Sequence, residues 1–76
     1  MNKTATLMVF TDLVNVIGMD NKFVQVTNDL VYSGYLDGEL IYQAIQCLMV
    51  QVGLRDLIGE IEYMYNEKLK IIGEVA

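Results

Sequence analysis

Apolar residues recur at three- and four-residue steps from Thr4 to Ile17, where Leu7, Phe10, Leu13, Val14 and Ile17 share one face. This spacing predicts an amphipathic helix, with Thr4 or Thr6 as a cap and Gly18 as a stop. Val9 and Val16 widen the apolar face, and the β-branched residues lower the intrinsic helix propensity. A cleaner helical period follows later, in Leu40, Ile41, Ala44, Ile45, Leu48, Met49 and Val52. Asp37 or Gly38 opens that second helix, Glu39 sits where the helix dipole favours a negative charge, and Gly53 ends it.

Between the two helices the pattern changes. Lys22 to Thr27 alternates, with Val24 and Val26 on one face, and Asn28-Asp29 offers a tight turn before Leu30-Val31-Tyr32-Ser33-Gly34-Tyr35. The segment therefore reads as a β-hairpin. Phe23, Leu30 and Tyr32 point away from the Val24, Val26 and Val31 face, so both faces of the hairpin carry apolar groups and call for cover.

The last segment supports two readings. Leu54, Leu57, Ile58, Ile61, Tyr65, Leu69 and Ile72 suit a helix, whereas Ile61-Glu62-Tyr63-Met64-Tyr65 and Leu69-Lys70-Ile71 suit strands joined at Asn66-Glu67-Lys68. Tyr and Ile favour a pleated surface, and Gly59 and Gly73 sit awkwardly in a helix, so a second hairpin is preferred. The fold expected is α+β, with two helices packed on a small antiparallel sheet of two hairpins. A helical 54–72 is the alternative. The chain has no Pro, no low-complexity stretch and no internal repeat, so residues 1–76 read as a single domain.

Composition adds to this picture at three points. The hydrophobic fraction of 54% exceeds what one small core absorbs, which points to self-association. A formal net charge of −5, with Lys3, Lys22, Arg55, Lys68 and Lys70 scattered, disfavours duplex nucleic acid as a partner. Cys47 is the one cysteine, and the start carries neither a signal-peptide pattern nor an apolar run long enough for a membrane. A reducing, cytoplasmic setting is expected, with no membrane partner.

Candidate chemistry is sparse. No His is present, which removes the usual general base and the commonest metal ligand, so triad chemistry is excluded. Cys47 lies away from the Leu40/Ile41 stripe without a neighbouring cation or helix N-terminus, and reads as an inert packed thiol. Glu60 and Glu62 would share a strand face but lack a third oxygen-rich partner for a cation. Asp20-Asn21 and Asn28-Asp29 read as turns, and Gly34 and Gly38 lack phosphate-loop spacing. No metal or cofactor is expected. Five tyrosines remain the most suggestive feature, since each joins an apolar ring to a hydroxyl suited to an interface or to stacking on a base. Tyr32, Tyr35, Tyr63 and Tyr65, with Arg55 as a cation, are the candidate binding residues, Tyr63 and Tyr65 being expected on one strand face.

The run Val24-Gln25-Val26-Thr27-Asn28-Asp29-Leu30-Val31-Tyr32-Ser33-Gly34-Tyr35-Leu36-Asp37, with a closing Leu69-Lys70-Ile71, resembles small accessory proteins of bacteriophages and prophages over about half the chain. The resemblance implies a helix, a strand, a Tyr-x-Gly strand and a final hairpin, although the full helix after Gly38 departs from it. It also implies a non-catalytic protein that counters a host defence, either by occluding a host protein or by sequestering a nucleotide signal between identical subunits. The alternative is a structural protein that contacts only copies of itself, and a carboxylate- or tyrosine-based enzyme ranks third.

Overall fold

A computed structural model describes residues 1–73 as four α-helices: α1 (Lys3–Ile17), α2 (Lys22–Val31), α3 (Gly38–Gln51) and α4 (Ile58–Ile72), the last entered through a short 3₁₀ turn at Arg55–Leu57. Among the described residues there is no strand, so the expected sheet of two hairpins is corrected to an all-α domain. The helical alternative for 54–72 is the one that forms.

Each helix start has a local cause. Asn2 caps α1 by accepting from the Ala5 N–H at 2.8 Å, in place of the expected Thr4 or Thr6. Asn21 caps α2 by accepting from the Phe23 and Val24 N–H groups, and Asp37 caps α3 by accepting from the Leu40 N–H at 2.9 Å. Such caps satisfy donors that have no partner inside the helix. At the end of α3 the chain takes φ +81° at Gly53, which lets the Gly53 N–H reach the Val50 carbonyl and the Leu54 N–H reach that of Met49 at 2.8 Å. That paired closure turns the chain towards the 3₁₀ segment and needs a residue tolerant of left-handed backbone.

The first expected hairpin fails for a reason visible in its buried set. Val24, Thr27 and Val31 are buried, at i, i+3 and i+7, while Val26 is 68% exposed. A strand would have buried Val24 and Val26 together. Asn28-Asp29, read as a turn, lies within α2, as Asn66-Glu67-Lys68 lies within α4. Thr27 fits a helix interior because its hydroxyl donates to the Phe23 carbonyl at 2.8 Å, and buried Thr6 donates in the same way to the Lys3 carbonyl at 2.7 Å. The strand–strand pattern implied by the likeness to phage accessory proteins is corrected with the hairpins.

The helices arrange around α1 and α3, which pack on each other; α4 packs mainly on α1, α2 mainly on α3, and α2 and α4 do not touch. Val9, Phe10 and Leu13 of α1, Val24 and Val31 of α2, Ile41, Ile45, Leu48 and Met49 of α3 and Ile61 of α4 form the core. The Cα envelope measures 37 × 28 × 18 Å, so the domain is a slab about two helices thick. Across the α1–α4 seam, Lys68 Nζ meets Asp12 Oδ2 at 2.6 Å, the lysine side chain being largely buried.

The starts of α1 and α3 touch at backbone level. A Cβ at Gly38 would fall 2.9 Å from the Met1 carbonyl carbon, closer still to its oxygen, and 3.2 Å from the Lys3 nitrogen. Gly38→Ala must therefore part the two helix starts, and we expect a loss of about 2 kcal/mol in chemical denaturation, as for other overpacked contacts. Gly59 in α4 has open space where a Cβ would go, so Gly59→Ala should instead gain about 0.5 kcal/mol. An unchanged midpoint for Gly38→Ala would show that this close approach does not fix the junction.

Candidate functional site

The tyrosines divide among separate places on the surface. Tyr32 closes α2, half exposed, with its ring 6.3 Å from that of Phe10, and Tyr35 stands 90% exposed in the α2–α3 connection. Tyr63 and Tyr65 both lie on α4, but two residues along a helix point to different sides. Tyr63 is exposed; Tyr65 is turned inward. The expected shared face of Tyr63 and Tyr65 is thus corrected, because it depended on strand geometry. Arg55 is exposed in the 3₁₀ turn. Since α2 and α4 do not touch, the structure does not gather Tyr32, Tyr35, Tyr63, Tyr65 and Arg55 into one site.

Tyr65 instead ties the fold together. Its phenol oxygen accepts the Asn2 backbone N–H at 2.8 Å, and its ring meets Tyr42 of α3 edge to face at 6.0 Å. One side chain of α4 thereby reaches the starts of both α1 and α3. Burial, followed by the nearby Glu62 carboxylate and Tyr65, pushes the Tyr42 phenol above its ordinary 10.0.

Other candidates have simple placements. Cys47 lies on the outer side of α3, away from the Leu40/Ile41 stripe as expected, but it is exposed, so its reading as a packed thiol is corrected: the helix turns it away from Ile41, Ile45 and Leu48. Glu60 and Glu62, also expected on one face, are separated by the helical turn, and both are exposed. Among the described residues no group of acidic or cysteine side chains could hold a metal ion, and no pocket opens between the helices. No helix among them is long and apolar enough to cross a membrane.

What the surface does offer is apolar. Phe23, Val26 and Leu30, at i, i+3 and i+7, form a stripe along α2 beside the stripe that packs on the core. Phe23 is 48% and Leu30 47% exposed. The sequence contained the signal, since these residues follow the helical period, but alternation assigned Val26 to the opposite face from Phe23 and Leu30. A helix whose apolar arc is wider than its neighbours cover is the feature that strand reasoning missed. The class defined is a four-helix, all-α domain without a cavity among its described residues. No protein family, curated protein or solved structure matches the chain.

Two expectations follow from this geometry. Tyr65→Phe removes the bond from Asn2 and should cost about 1 kcal/mol in thermal or chemical unfolding. For Tyr42 the sign of the pH effect is set by linkage. Below pH 10 both states hold the phenol proton. Above it the unfolded chain releases its proton first, so stability falls as pH rises. Tyr42→Phe should lose less stability than wild type between about pH 8 and pH 11, and an equal loss in both proteins would remove Tyr42 as a source of alkaline sensitivity.

Proposed function

We propose that this chain is a non-catalytic binding protein that works as a homo-oligomer and acts stoichiometrically on a protein partner. The likeness to phage accessory proteins supplies the finer part of the reading, a host defence protein as target in the cytoplasm. One observation carries the proposal: α2 packs one side on the core while Phe23, Val26 and Leu30 on its adjoining side stay open. Exposed apolar stripes of this kind mark interaction surfaces on small proteins.

The dispersed tyrosines favour a protein partner over a nucleotide. A nucleotide held within one subunit needs rings and a cation that converge, whereas Tyr32, Tyr35, Tyr63 and Arg55 stand on three different segments. Each is suited to a broad contact. Sedimentation velocity over a range from tens to hundreds of micromolar tests the self-association. We expect a mass above the 8.6 kDa of one chain, rising with concentration, and a single-chain mass throughout would overturn the oligomer.

A further inference from the structure

We infer that α2 is a self-docking helix: two copies of the chain meet through antiparallel α2 helices, with Val26 near the two-fold axis and Lys22 of each copy paired with Asp29 of the other. The inference rests on the self-association just proposed and specifies its geometry.

The residues that face outward on α2 set this arrangement. Phe23, Val26 and Leu30 form the seam, spaced as the contact positions of a two-helix coiled coil, and Lys22 and Asp29 each precede a seam residue by one position. The two charges therefore flank the same edge of the seam, one near each end. When two such helices meet antiparallel, an edge faces its own copy in reverse order. Lys22 of one copy then lies beside Asp29 of the other, twice over. A parallel pair sets that edge against the opposite edge, where Thr27 stands buried against the core and no charge is available. Charge complementarity thus selects both a second copy as occupant and the antiparallel direction. With Val26 at the centre, Phe23 of one copy sits between Val26 and Leu30 of the other, and the two β-branched side chains meet at the axis.

A second observation supports an intermolecular role for these charges. Lys22 is the first residue of α2 and Asp29 lies in its last turn, so both oppose the helix dipole, and the helix has no acid in its first turn or base in its last. Among the described residues neither has an ion-pair partner within the chain. The arrangement is unfavourable for α2 alone and favourable between two copies. Such an interface is small: three partly exposed side chains present on the order of 300 Å² per copy, so the pairing is transient and concentration-dependent.

The same dipole makes the test clean. Lys22→Asp and Asp29→Lys each improve α2 as an isolated helix, so a loss of assembly in either cannot be assigned to unfolding, and circular dichroism should show undiminished helicity. Each single variant places like charges at both ends of the seam and should weaken dimerisation by on the order of tenfold in sedimentation equilibrium. The double variant Lys22→Asp/Asp29→Lys restores opposite charges and should return to near wild-type affinity. In a Cys47→Ser background, Val26→Cys should form a disulfide-linked dimer under mild oxidation. A wild type that stays monomeric overturns the self-association itself. A dimer indifferent to the charge swaps, or one that the double variant fails to rescue and Val26→Cys fails to crosslink, overturns the α2 pairing and leaves self-association through another face.

Discussion

The rest of this fold depends on α1, which packs chiefly on α3 and α4 and also touches α2. Helix α4 reaches the rest of the molecule chiefly through it, and α3 packs on it as well while carrying α2. The buried residues of α1, Ala5, Thr6, Val9, Phe10 and Leu13, cover a broad arc rather than a narrow stripe, as a helix packed against several neighbours requires. That breadth also explains Thr6. A buried hydroxyl must be satisfied, and the Lys3 carbonyl one turn back is within its reach. The junction at Gly38 serves the same end, bringing the starts of α1 and α3 closer than any side chain would allow, with Tyr65 bridging both.

The two helices that the sequence states most clearly, α1 and α3, are also the longest runs with an unambiguous helical period, and both form close to the expected bounds. The two segments misread as hairpins share a different property. Their residues, Phe23, Val24, Val26, Thr27, Val31 and Tyr32 in one and Ile61, Tyr63 and Tyr65 in the other, are β-branched or aromatic, and local preference favours the strand. Tertiary burial decided otherwise. Val24, Thr27 and Val31 fill one side of a helix against α3, an advantage that exceeds the few tenths of a kcal/mol per residue that propensity contributes. Asn28-Asp29 and Asn66-Glu67-Lys68 then lose their meaning as turns, because polar residues on the outer face of a helix look the same in sequence as polar residues in a loop.

The apolar surplus was legible, but its location was not. An accessible area of 4744 Å² is close to the ~4,700 Å² expected of a monomer of this mass, so the chain buries as much surface as others of its size. Val16, Val26, Tyr63 and Ile71 are each more than half exposed, and their positions follow from helix phase, which a strand assignment inverts for Val26 and for Tyr63 with Tyr65. Cys47 departs from expectation in its exposure alone. The sequence puts it on the side of α3 away from the Leu40/Ile41 stripe, where it lies, and only its reading as a packed thiol fails, because Ile41, Ile45 and Leu48 already occupy the inward side.

The least supported element is α2. It is the shortest of the four, runs for 10 residues, and touches mainly α3. Isolated helices of this length are marginal in water, so α2 owes its form to whatever covers it. Within the chain that cover reaches Val24, Thr27 and Val31 and stops short of Phe23, Val26 and Leu30. A partner that closes the second side would stabilise the element that the chain itself holds least firmly, and by mass action association would then strengthen the fold of each subunit. Assembly and folding would be linked through one helix, which is why the open side of α2, rather than any tyrosine, is where the function of this domain is best sought.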